Sequence, residues 1–158
     1  MQIEPYQAAH LDAVVGLSLR AWAPVFASIE AAMDRDTYLA MHPDWRVTQR
    51  EAVEAACADA DMEVWVAIED AQVAGFTALR QHAEDKLGEI YMIAVDPPFH
   101  RRGIAKALIH HSVDRLTKAG MSVAMIDTGG DPGHAPARRA YESTGFRALP
   151  CVRYFKKL

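Results

Sequence analysis

The chain has 158 residues, 51% of them apolar and 24% charged, which suits one globular domain rather than two and suffices to bury a core without a disulfide or metal staple. Cys57 and Cys151 are far apart in sequence and read as reduced thiols of a cytoplasmic protein, with one long-range disulfide as the disfavoured alternative. The net charge of −4 hides an asymmetry: residues 1–95 hold 16 acids and 6 bases, residues 96–158 hold 5 acids and 11 bases, which fits an anionic partner for the second part and a cationic one for the first.

Glu4, Asp12 and Arg20 interrupt the first thirty residues, so no signal peptide or membrane span is read there. After an extended start at 3–6, Leu11, Val14, Val15, Leu19 and Trp22 recur at helical spacing, and Pro24 is expected to stop that helix. A second helix fits around 35–41, before His42 and Pro43. Thr48 and Glu51 form a capping-box pattern that opens a helix toward Ala60. Residues 64–68 and 73–80 then read as a hairpin turning at Asp70 and Ala71. The nearly continuous apolar run 89–95 predicts a central strand covered on both faces and ended by Asp96-Pro97-Pro98. Ile104, Ala105, Leu108, Ile109, Ser112 and Leu116 share one helical face between Gly103 and Gly120. A buried strand at 121–128, a glycine-rich loop at 129–133, a helix at 137–143 and a last strand at 149–157 complete the reading. This order predicts an α/β (α+β) single domain, a mixed and mostly antiparallel sheet with helices on both faces.

The segment His100-Arg101-Arg102-Gly103-Ile104-Ala105-Lys106 lies between a strand and the first turn of a helix. A helix start leaves backbone N–H groups free and carries partial positive charge, so it accepts an anion such as phosphate. Gly103 lets the backbone approach closely, and Arg101, Arg102 and Lys106 add charge. The segment lacks the Gly-Lys-Ser/Thr of triphosphate loops and the Gly-x-Gly-x-x-Gly of dinucleotide loops.

His100-x-x-Gly103-x-Ala105 resembles the phosphate loop of the Gcn5-related N-acetyltransferase (GNAT) family, with His100 where that family has Gln or Arg. His134-x-x-Ala137-x-x-x-Tyr141-x-x-x-Gly145-Phe146 is similar to the family's later motif, with His134 in place of its usual Asn. The resemblance covers residues 64–158 and implies a GNAT-like fold with acetyl-coenzyme A as co-substrate. It implies pyrophosphate on the backbone of residues 100–106, including Ile104, and pantetheine along Ile93, Ala94 and Val95, with His134 and Ala137 beside it. Tyr141 would protonate the leaving coenzyme A thiolate.

Acetyl transfer to an amine needs that amine neutral, whereas a lysine-like amine has a pKa near ~10.4. Glu89, eleven residues before His100 as the catalytic glutamate is in some family members, is the leading general base, with Glu63 as substitute. An exposed strand-end carboxylate explains Glu89 equally well. Arg20, Trp22, Pro24, Val25 and Phe26 occupy the region where family members shape the acceptor pocket. The acceptor is read as a small-molecule or peptide amine, and the acids of the first part favour a cationic one. His110 and His111 point about 100° apart on a helix and cannot share a metal, and no metal is expected. Nucleic acid is disfavoured because the bases lack interleaved aromatics. A homodimer, a bulkier acyl group and a non-catalytic acyl-coenzyme A sensor stay open.

Overall fold

The computed structural model describes residues 1–158. Its elements, in chain order, are β1 (Gln2–Pro5), α1 (Leu11–Ala32), α2 (Arg35–Met41), α3 (Trp45–Ala58), β2 (Met62–Glu69), β3 (Gln72–His82), β4 (Leu87–Val95), α4 (Ile104–Lys118), β5 (Val123–Met125) and α5 (Ala135–Ser143). The strands form one sheet in the order β1-β2-β3-β4-β5. All neighbours are antiparallel except β4 and β5, which are parallel. The predicted mixed sheet with helices on both faces is the fold observed.

Each face buries its own cluster. Val14 and Leu17 of α1 and Val53 of α3 pack on Val66, Phe76 and Ala94, while Leu108 and Leu116 of α4 cover the other face at Ala67, Ala74, Leu79 and Ile90. Full burial of a Leu- or Phe-sized side chain contributes roughly 1.5–3 kcal/mol. The helical face read around Leu108 and Ser112 is the buried one, and the Ser112 hydroxyl is satisfied by Thr77 at 3.1 Å and by the Leu108 carbonyl at 2.8 Å. Asp70 and Ala71 make the hairpin turn with φ of 51° and 60°, the doubly left-handed geometry that matches strand twist.

Several boundaries differ from those predicted. Pro24 lies inside α1, which continues to Ala32. A proline there removes one hydrogen bond and crowds the preceding turn, but the residues beyond it are held: Phe26 stacks on Trp45 at 4.6 Å, and Ser28 Oγ accepts from the Gly133 N–H at 2.8 Å. The stretch Ala8–Ala32 is also long and apolar enough, by length and composition alone, to cross a membrane; Val14, Val15 and Leu17 within it serve the sheet core. Asp44, not Thr48, caps α3 by accepting from the Arg46 N–H, and Thr48 bonds the Asp44 carbonyl one turn inside. The strand expected over 121–128 is only three residues, with Val123 57% exposed. No strand forms at 149–157. That segment is irregular, with Leu149, Val152 and Tyr154 largely exposed.

What positions the site is the short contact between β4 and β5. They pair only from Leu87↔Val123 to Glu89↔Met125. Next to this contact Tyr91 bulges out of the β3–β4 ladder, where Met92 pairs with Ala78 and Ile90 with Leu79. A bulge bends its strand and increases its twist. Beyond Glu89, β4 therefore runs to Val95 with no strand on its β5 side.

Candidate active site

A cleft of about 550 Å³ opens where β4 and β5 part. Ile93, Ala94 and Val95 form one wall, Trp22, Pro24 and Val25 of α1 a second, the start of α4 closes one end, and His134, Ala137 and Tyr141 lie opposite. Ile126, Asp127 and Thr128, which the sequence predicts as buried strand, contribute the continuation of β5.

The α4 end is shaped by the backbone. Gly103 caps the helix with φ 81° and without any side-chain hydrogen bond, and Arg101 two residues earlier is also left-handed at φ 62°. A non-glycine residue in that region costs roughly 1–2 kcal/mol, so the turn is held in place by its surroundings. His100 Nε2 lies 3.0 Å from the Val95 carbonyl. Asp96, 6% exposed, receives both Nε and Nη2 of Arg20, at 2.9 and 2.7 Å. That bidentate pair raises the Arg20 pKa through its hydrogen bonds, against the effect of burial, and fastens α1 to the base of the turn. Left-handed residues within such a turn converge backbone N–H groups on one concavity, and the first turn of α4 adds its own free donors. Arg101 and Lys106 line the cleft beside them.

Arg102 does not. Its guanidinium reaches Asp70 at 3.1 Å and lies 5.1 Å from the Phe99 ring centroid, and Arg102 does not line the cleft. The expected pyrophosphate cluster thus loses one of its three cations to the β2–β3 hairpin.

Tyr141 sits two turns along α5 from His134. Gly145, at φ 94°, ends α5 and lets the Phe146 N–H return to the Tyr141 carbonyl at 3.1 Å, bringing the two rings to 6.4 Å. Burial pushes the Tyr141 phenol up to about 12, so it is a protonated donor throughout the physiological range.

The two carboxylates proposed as bases lie elsewhere. Glu89 pairs with His82 at 2.9 Å and does not line the cleft. Glu63 accepts from Trp65 Nε1 at 2.7 Å and from Arg115 at 2.5 Å. Among the acceptor-side residues, Trp22, Pro24 and Val25 line the cleft; Arg20 is committed to Asp96, and Phe26 packs against Trp45.

Asp131, not read as a site residue from the sequence, joins His134 at the edge of the cleft. Asp131 bonds His134 Nδ1 and the Gly133 N–H, and Arg138 binds the Gly129 and Asp131 carbonyls at 2.5 and 2.9 Å. Burial pushes the Asp131 carboxyl up, but hydrogen bonds from Ser28 and His134 outweigh it and hold the group below its ordinary value. The sequence signal was the three-residue spacing of Asp131 and His134 at the end of the glycine-rich loop.

The sequence profile of the acetyltransferase (GNAT) family matches residues 27–146. The chain belongs to the GNAT family. Among GNAT relatives, the mycothiol acetyltransferase of Streptomyces coelicolor is 29% identical over 144 residues, covering 83% of this chain and 43% of that one. Among GNAT structures, the aminoglycoside 6'-N-acetyltransferase of Acinetobacter haemolyticus superposes with a TM-score of 0.70 at 19% identity, covering 100% of this chain and 99% of that one. Another, AAC(6')-Iy in complex with a coenzyme A bisubstrate analogue, superposes with a TM-score of 0.68 at 20% identity, covering 99% and 97%. At these identities the structures establish the shared fold. The chain spans 26% to 57% of the length of the curated relatives it matches.

Proposed function

We propose that this GNAT chain transfers an acetyl group from acetyl-coenzyme A to a primary amine. One observation carries the reading: the uncapped, left-handed start of α4 and the protonated phenol of Tyr141 face the same cleft. The backbone N–H groups at Gly103 and the first turn of α4 would hold the pyrophosphate, with Arg101 and Lys106 neutralising it. The unpaired side of β4 at Ile93–Val95 would take the pantetheine amides as a strand edge takes an extended peptide.

When bound, acetyl-coenzyme A supplies an activated acyl carbon and a thiolate leaving group. The chain's own contribution is then largely positioning, with a β4 N–H available to the carbonyl oxygen and the Tyr141 hydroxyl as proton donor to sulfur. The acceptor is a small-molecule or peptide amine. The acidic first part of the chain and the aminoglycoside class named for the Acinetobacter haemolyticus enzyme support a cationic one.

The test is thiol release from acetyl-coenzyme A against a mixed panel of polyamines, aminoglycosides and free-amine peptides, with product mass recorded. Tyr141→Phe is expected to lower kcat about 100-fold or more while coenzyme A binding persists. Coenzyme A binding without turnover of any amine would make the chain a sensor and overturn the transferase reading.

A further inference from the structure

An amine arriving as an ammonium ion needs a base in the cleft, and the two glutamates do not line it. The acid–base side chains that do are Tyr91, His100, Arg101, Lys106, Asp127, His134 and Tyr141. Asp127 is tied to Arg153 at 2.7 Å, and His100 uses Nε2 on the Val95 carbonyl. His134 differs. Its Nδ1 is bonded to Asp131, while Nε2 has no hydrogen-bond partner in the protein, and the residue lines the cleft. A carboxylate behind one ring nitrogen fixes the tautomer with the proton on that nitrogen and leaves the lone pair on the other.

Resting on the transferase reading above, we infer that His134 Nε2 is the general base for the acceptor amine, oriented by Asp131. The surrounding loop is shaped around this pair. A Cβ on Gly129 would collide with Asp131 Oδ1 and lie 2.5 Å from His134 Nδ1, so only glycine leaves it room. Ser28 Oγ, from α1, receives the Gly133 N–H at 2.8 Å, and Arg138, from α5, is the charged group packed against the loop backbone. Asp131 is itself held ionised by its hydrogen bonds despite burial.

The proton balance closes. His134 Nε2 takes one proton from the ammonium, giving the neutral amine. The nitrogen bonds to the acyl carbon, the carbon–sulfur bond breaks, and the Tyr141 proton passes to sulfur. The second proton shed by nitrogen restores the phenol, and the imidazolium returns its proton to water. Amide and free thiol are the products. Asp131 is a positioning residue throughout.

His134→Asn, which places the family's usual residue there, distinguishes proton transfer from cofactor contact. The expected result is kcat lowered about 100-fold, loss of the acid limb of the kcat–pH profile, and calorimetric coenzyme A affinity within about threefold of the parent. Asp131→Asn, whose amide favours the wrong tautomer, is expected to lower kcat at least about 10-fold with the same affinity. Independently of turnover, nitrogen-15 NMR of the free protein is expected to show His134 protonated on Nδ1 at neutral pH. The inference is overturned by the Nε2-protonated tautomer, by full activity in His134→Asn, or by an acid limb lost in Glu89→Gln instead. Inactivity of the parent chain toward every amine, with the Nδ1 tautomer present, would instead fault the transferase reading.

Discussion

Two helix starts face the cleft, neither capped by a side-chain hydrogen bond, and they differ in what precedes them. At Gly103 the chain turns left-handed, no side chain caps the helix, and cations stand alongside. At His134 the preceding turn has already used its Gly133 N–H on Ser28 and Asp131, and a carboxylate–imidazole pair fills the corner. Open donors attract an anion, whereas satisfied donors beside an ionised acid hold a proton acceptor. One end of the cleft thus offers free donors beside cations, and the other a carboxylate–imidazole pair next to a turn whose donor is already used.

The contrast breaks most sharply at the glycines. Gly129→Ala, which displaces the Asp131–His134 pair, is expected to lower kcat about 100-fold and to leave the Kd for coenzyme A within about threefold, by steady-state kinetics and calorimetry. Gly103→Val reverses that pattern. A β-branched residue at φ 81° is strained by at least roughly 1–2 kcal/mol, so coenzyme A affinity is expected to fall about 10-fold or more. Arg20→Ala removes the partner of buried Asp96. Because Arg20 is itself half exposed, the expected cost is about 1–3 kcal/mol, read as a lowered Tm by calorimetry.

A pH series sharpens the other side of the comparison. In the proposed role the raised phenol of Tyr141 acts protonated, so no loss of rate from it is expected near pH 10, where an unperturbed tyrosine ionises; loss begins toward pH 12. The same shift makes its contribution to stability intact below pH 10 and lost as pH rises through about 12. The smallest effect is at Arg102→Ala. Its ion pair with Asp70 is exposed and worth ~0–1 kcal/mol, and KM for acetyl-coenzyme A is expected to change less than about twofold. A large rise would put Arg102 back among the phosphate contacts.

What could be read from the chain was what neighbouring residues impose on each other. Gly103 and Ala105 state a backbone requirement, and Tyr141 with Gly145-Phe146 states the end of a helix, so both sides of the cleft were legible. Direction and distant partners were not. Arg101 and Arg102 look equivalent until the left-handed Arg101 separates them. Glu89 precedes the Tyr91 bulge, so counting eleven residues back from His100 does not say which side of β4 the carboxylate takes. Pro24 fails as a helix stop because Phe26 and Ser28 are held by Trp45 and Gly133, the latter 105 residues away. Arg20 and Asp96, 76 residues apart, carry no local sign of each other. The last predicted strand had the composition for one but has no strand partner here.

The parting of β4 from β5 reaches past enzymology. A row of backbone amides between Ile90 and Val95 lies open on one side, so local opening and hydrogen exchange should concentrate there. Any molecule that seats itself in the gap stabilises the whole polypeptide by mass action. Survival of this protein against proteases would then track the supply of its donor, coupling cellular turnover of the chain to a metabolite pool.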